Sequence, residues 1–109
     1  MNQSNTSPAS FLLYTTDLRN LAQDYTKVQA AVGGTLSAPT LTVNDLLQNN
    51  RSVTLHGSGP TVNGNSVDYQ LLGSDFPVID GIAGQYQITI TVVINAQTFT
   101  SVTLFNVPQ

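Results

Sequence analysis

The stretch Gly84-Gln85-Tyr86-Gln87-Ile88-Thr89-Ile90-Thr91-Val92-Val93-Ile94-Asn95-Ala96-Gln97-Thr98-Phe99-Thr100-Ser101-Val102-Thr103-Leu104-Phe105-Asn106-Val107 decides how this chain folds. Tyr86, Ile88, Ile90, Val92 and Ile94 fall on one side of a period of two, with Gln85, Gln87, Thr89 and Thr91 on the other. That alternation belongs to a strand with one dry and one wet face. Asn95-Ala96-Gln97 permits a reversal, and apolar residues then continue to Val107, so the spacing predicts a long antiparallel hairpin. In its second arm Phe99, Val102, Leu104, Phe105 and Val107 do not keep one phase, which predicts a bulge near Thr100-Ser101 or burial on both faces.

Toward the N-terminus the same period recurs in shorter pieces. Phe76 to Ile79 reads as a short strand or a buried crossing. Asn63-Gly64 suits a tight turn, and Val67, Tyr69 and Leu71 alternate after it, which predicts a second hairpin. Thr40 to Val43 and Arg51 to Ser58 are further strand candidates, with Val53 and Leu55 on one face.

Ahead of Gly33-Gly34 the period changes. Phe11, Tyr14, Leu18, Leu21, Tyr25, Val28 and Val32 recur in alternating steps of three and four, a heptad-like seam on one helix. Ser7 can cap such a helix, Pro8 fits its first position, and Gly33-Gly34 ends it. The seam therefore predicts a helix from Pro8 to Val32, about 37 Å long at 1.5 Å per residue. Thr15-Thr16 weakens the continuous version. The rival reading has a short strand from Ser10 to Thr15 and a helix from Leu18 to Val32 capped by Asp17. The expected plan is a flexible arm over 1–7, the helix with its glycine stop over 8–34, and a β-sandwich over 35–109.

Composition narrows function by exclusion. Only 8% of the 109 residues are charged, against about 25% in ordinary soluble domains, while 40% are apolar, so Thr, Ser, Asn and Gln fill the polar positions. All six acidic residues are aspartate. A net charge of -3, with Arg19, Lys27 and Arg51 far apart in the chain, cannot neutralise a run of phosphates and argues against nucleic acid as a partner. The absence of cysteine removes disulfides, thiolate chemistry and the common structural zinc sites. No window reaches the roughly 18 apolar residues of a membrane helix. The polar, uncharged start, Met1 to Ser10, lacks the pattern of an export signal. Neutral polar surfaces avoid the desolvation cost of burying charge between subunits, which suits a protein that lives packed against others.

Residues that could carry chemistry read more simply as structure. His56 is the only histidine, and nothing in the spacing supplies partners for a metal or a nucleophile, so an exposed strand position is expected. Asp68, Asp75 and Asp80 lack the spacing of a calcium loop and read as turn caps. Gly57-Ser58-Gly59 has no Lys-Ser/Thr after it and reads as loop punctuation. The sequons at Asn2, Asn5 and Asn50 lack an export signal to give them meaning. No cofactor, metal or catalytic residue is expected, and the chain reads as no enzyme.

Gly84-Gln85-Tyr86-Gln87-Ile88, with Asp80 before it, is similar to the penultimate-strand signature of immunoglobulin-like sandwiches. Ile88 stands where antibody-type domains carry cysteine, and Asp80 lies two residues further upstream than their aspartate. The resemblance implies a mainly β fold, a small immunoglobulin-like antiparallel β-sandwich preceded by one N-terminal α-helix. A polar arm, a helix and a cysteine-free, Thr-rich, weakly charged sandwich together resemble small virion structural proteins of tailed bacteriophages, of head decoration, head fibre or neck type. That likeness covers about the last 70 residues and is one of style, so it transfers no functional residues. It implies a non-enzymatic subunit located in the virion, with copies of itself or other virion proteins as partners, and neither nucleic acid nor membrane. Assembly as a homo-oligomer is expected to run through Phe11, Tyr14, Leu18, Leu21, Tyr25, Val28 and Val32 and through strand edges. The helix could dock on another protein, on copies of itself or on its own sandwich. A secreted or surface module binding glycan or peptide through loops such as Ser58 to Ser66 is the contrasting reading, although that loop has no aromatic residue to line a sugar site.

Overall fold

The C-terminal hairpin forms without interruption. In the computed structural model, which describes residues 11–77 and 83–108, Gly84–Ile94 and Gln97–Val107 pair antiparallel from Gly84 opposite Val107 to Ile94 opposite Gln97. Asn95 and Ala96 close the turn at φ of 51° and 62°, the left-handed pair that a two-residue hairpin loop requires. The expected bulge is absent. Phe99, Ser101, Phe105 and Val107 face inward while Val102 and Leu104 face out, so two apolar outward residues produced the broken phase.

Among the described residues eight strands make two sheets. In chain order they are β1 (Phe11–Leu12), β2 (Leu18–Asp24), β3 (Leu36–Asp45), β4 (Arg51–Ser52), β5 (Thr61–Asn63), β6 (Ser66–Leu72), β7 (Gly84–Ile94) and β8 (Gln97–Val107). The first sheet has the order β1-β8-β7-β3-β4 and the second β2-β6-β5. Every pairing is antiparallel except β1 with β8. One α-helix, α1 (Thr26–Val32), and a 3-10 turn (Gly73–Asp75) complete the described elements.

The fold is thus mainly β, but the long N-terminal helix is not there. Leu18 to Asp24 is a strand, and among the described residues of the expected helix only the last seven, Thr26–Val32, are helical. The rival reading fails over the same residues, although its short strand between Ser10 and Thr15 is met in part by Phe11–Leu12. Asp17 explains the break, because its carboxylate accepts the Tyr14 N–H at 2.8 Å while its own N–H donates to the Tyr14 carbonyl at 2.9 Å. That closed turn, carrying the β-branched pair Thr15-Thr16, delivers the chain beside β6, whose backbone on that side needs a partner. Pairing then runs in unbroken register from Leu18 opposite Leu72 to Asp24 opposite Ser66. Asp24 ends the strand and turns the chain into α1, accepting the Thr26 hydroxyl at 2.6 Å and the Thr26 N–H at 2.9 Å. These two bonds, the hydroxyl first, hold its carboxyl below the usual range. Gly33, at φ 74°, ends α1 as expected, with its N–H on the Gln29 carbonyl at 2.8 Å. The expected division at residue 34 is therefore no boundary, since β1 and β2 belong to the sheets. The expected arm, 1–7, lies outside the described residues.

Shorter expectations shift by a few residues. The strand at 40–43 spans Leu36–Asp45, with a register shift between Ser37 and Thr40. Of Arg51 to Ser58 only Arg51–Ser52 is strand, yet Val53 and Leu55 pack against the core together. The second hairpin turns at Gly64-Asn65, one residue later than expected, because Asn63 pairs with Ser66. Phe76 is fully buried directly after the 3-10 turn, and Ile79 lies outside the described residues.

One core joins the inward faces of both sheets, Val67, Tyr69 and Leu71 from β6 meeting Ile88, Ile90, Val92 and Ile94 from β7. At one end an aromatic group gathers on Phe105, which stacks on Phe11 and Tyr86 at 5.2 Å each and meets Phe76 edge-on at 5.1 Å. Gly84 permits this, because a Cβ there would stand 2.6 Å from the Tyr86 ring. Tyr25 and Ser101 join hydroxyl to hydroxyl at 2.8 Å in the buried interior and tie the end of β2 to β8.

Burial raises the phenol of Tyr25, pushes that of Tyr69 up to about 12, and raises that of Tyr86, where nearby Asp45 adds to the effect. These groups stay protonated in the fold while unfolded tyrosines ionise near 10. Their contribution is complete below pH ~10 and is lost as pH rises through the folded values, on the order of 2 kcal/mol for Tyr69 alone. Thermal melts are expected to hold up to pH ~10 and fall steeply toward 12, with phenolate absorbance appearing together with unfolding. Melting temperatures that stay level across that interval would contradict the burial.

Candidate functional site

The seven seam residues do not form one surface. Phe11 lies on β1 and stacks on Phe105; Leu21, on β2, and Val28 and Val32, on α1, pack half-buried against the core; Tyr25 is completely buried. Only Tyr14, in the turn, and Leu18, on the outer face of β2, remain exposed. Steps of three and four arise because a strand, a junction and a helix each place residues inward in succession. The seam as an assembly helix is therefore corrected: most of it is covered by the chain's own sheets.

The outer face of the larger sheet was not singled out from sequence. Strand register sets Thr40, Thr91 and Thr100 in one row, Thr42, Thr89 and Val102 in the next, and Asn44, Gln87 and Leu104 in a third. The Thr40 and Thr91 hydroxyls hydrogen-bond across the strands. Leu12, opposite Asn106, extends this face onto β1, and Leu12 and Leu104 are 48% and 39% exposed. No outward residue of these four strands is charged. The signal was present as the polar half of each alternation, but it becomes one surface only when register aligns the strands.

Open strand edges add to this face. Among the described residues β1 pairs with β8 only at Phe105 and Asn106, and β2 has β6 as its sole neighbour. The one inward charge on β2, Arg19, is occupied: its Nη1 donates to the Leu12 carbonyl at 3.0 Å, and its guanidinium sits 5.1 Å over the Phe11 ring.

His56 stands in a loop and not on a strand. Its Nδ1 lies 2.7 Å from Asp75 Oδ1, and its backbone N–H donates to Asp75 Oδ2 at 2.9 Å. The imidazole is 69% exposed while the carboxylate is 5% exposed, in a cleft of about 510 Å³ also lined by Ser52, Ser74 and Tyr86. A buried carboxylate orienting an imidazole supplies two of the three members of a hydrolytic triad, but among the described residues no hydroxyl hydrogen-bonds to the ring. With both oxygens occupied by one residue, Asp75 acts as a latch between the loop after β4 and the 3-10 turn. Asp68 accepts from Asn63 and Ser66, and no group of three His, Cys, Asp or Glu side chains among the described residues could hold a metal ion.

A shallow groove of about 420 Å³ crosses the smaller sheet, lined by Asn20, Ala22, Ser58, Gly59, Asp68 and Gln70 among others. Its amides already satisfy one another, Gln70 Nε2 donating to Asn20 Oδ1 at 3.1 Å. No helix among the described residues is long and apolar enough to cross a membrane. No protein-family model, no curated protein and no solved structure matches the chain, so the surfaces of the molecule carry the functional reading by themselves.

Proposed function

We propose that this chain is a non-enzymatic structural subunit of a tailed-bacteriophage virion, of decoration, fibre or neck type, assembled through sheet surfaces and not through an N-terminal helix. The observation that carries this reading is the charge-free outer face of β1, β8, β7 and β3, where threonine and amide rows run beside exposed Leu12 and Leu104. Depletion of charge is what separates the buried centre of a protein interface from ordinary surface, and a face without cations offers a phosphate nothing to pair with. The fold is read as immunoglobulin-like. Its sheet order, with a first strand parallel to the last and β2-β6-β5 opposite, has the form of the two sheets of a variable-type domain, and Tyr86 lies near the start of the penultimate strand as in that family.

Gln87→Lys with Thr89→Lys places two charges in the middle of this face without touching the core. The melting temperature is expected to stay near wild type, because such surface changes are worth within about 0.5 kcal/mol. Incorporation into virions, measured by mass spectrometry of purified particles, is expected to fall to background. A wild-type chain absent from the particles, or a variant incorporated as well as wild type, would refute the reading. The second reading, a glycan- or peptide-binding module, draws on the groove over the smaller sheet. It ranks lower because no exposed aromatic side chain lines that groove.

A further inference from the structure

We infer that the free edge of β2 is a self-pairing edge: two copies join antiparallel along Leu18–Asp24, with Leu21 facing Leu21 of the second copy. This rests on the assembly reading above and names one partner for it.

Backbone parity supports the pairing. The Tyr25 N–H donates to Asn65 at one end of β2, and Gly73 donates to the Asp17 carbonyl at the other, both at 2.8 Å. Odd-numbered residues therefore aim their backbone groups at β6. Leu18, Asn20, Ala22 and Asp24 aim theirs at the open side, where the described residues supply no partner. A row of unmet donors and acceptors on an edge is a template for another strand unless something blocks it.

Most of the usual blocks are missing, the exception being the inward charge of Arg19. Register with β6 is unbroken, so no bulge twists the edge away, and β2 contains neither proline nor lysine. Arg19 points inward and is tied to Leu12 and Phe11, and the Asp24 carboxylate is turned to Thr26.

The edge is also complementary to itself. A two-fold axis at Leu21 sets Asn20 opposite Ala22 and Leu18 opposite Asp24 of the second copy. Each such pair joins residues whose N–H and C=O both face the junction, so each can exchange two bonds, while the Leu21 pair takes the closer position without bonds. Opposed residues have the same parity, so inward faces stay inward and the two smaller sheets become one. No like charges oppose each other. Leu18, 55% exposed in the single chain, gains a neighbouring strand on its open side.

The test uses the full chain and a substitution that spares the fold. Ala22→Pro removes an N–H that faces the open edge and makes no bond to β6, which is the kind of position where a strand tolerates proline. Light scattering over a wide concentration range is expected to show wild type reaching twice the monomer mass. Ala22→Pro is expected to weaken self-association at least about tenfold while keeping the wild-type circular dichroism. If that variant unfolds, a spin label on Ala22→Cys, unique because the chain has no cysteine, reports independently. Its dipolar broadening should match residues about one diagonal step apart, roughly 7–8 Å between backbones, and vanish on dilution with unlabelled chain. A wild type that stays monomeric at all concentrations overturns the proposal. So does a dimer that survives Ala22→Pro or shows no broadening, and neither result touches the reading of the larger sheet, which the lysine pair tests separately.

Discussion

A chain shortened to begin at Gly34 is expected not to fold. Had the first 33 residues been an assembly helix, their loss would leave a folded sandwich that no longer associates. They instead supply β1, β2 and α1, with Leu13 and Tyr25 at 0% exposure and Phe11, Leu21, Val28 and Val32 packed on the same core. Burial of a large apolar side chain is worth about 1.5–3 kcal/mol. Losing two such groups and four partly buried ones, together with the whole β2–β6 ladder, is comparable to the roughly 5–15 kcal/mol that hold a domain folded. The shortened chain should give a collapsed amide spectrum and a far-ultraviolet signal without a cooperative melt. A dispersed spectrum with native-like melting would restore the separable helix. A milder contrast lies on one strand: Leu18→Asp should leave the melt nearly unchanged, whereas Leu21→Asp, which turns into the core, should lower it substantially.

Phe105→Ala is expected to cost about 3–5 kcal/mol, enough to lower the melting temperature by roughly 15 °C or more. Phe105 is fully buried and is the one ring that touches Phe11, Phe76 and Tyr86 together, so its removal opens a cavity at the junction of both sheets and β1. Relaxation can fill little of it, because the surrounding rings are fixed on two separate strands and just after the 3-10 turn. Leu104→Ala, one residue away, should cost under about 1 kcal/mol, because Leu104 faces outward. Paired thermal melts measure both. Equal losses would mean that β8 is set in the wrong phase, which would also dissolve the charge-free face built on its other side.

How much of this was legible depended on how independent each signal was of distant residues. The β7–β8 alternation could be read because a central strand buried on one face repeats its own pattern. β2 could not, because its inward residues are Arg19, Leu21, Gln23 and the following Tyr25, and only two of these are apolar. Arg19 is inward because its guanidinium lies over Phe11, a contact between two sheets that a count of apolar spacing does not register although the two residues are close in the chain. The candidate site suffered similarly. Five of its seven residues are covered by the chain itself while Tyr14 and Leu18 stay exposed, and where that cover comes from is a property of topology.

Alternation, glycine stops and the near-absence of charge, all local to the chain, determined that this is a mainly β protein whose surface is neutral and whose core is aliphatic and aromatic. Tertiary structure alone decided that Leu18 to Asp24 extends beside β6, that threonines from three strands fall into rows, and which edge is left open. The reason is that an isolated helix or strand of that length is worth little against its conformational entropy, so the choice between them goes to whichever satisfies the backbone of a neighbour.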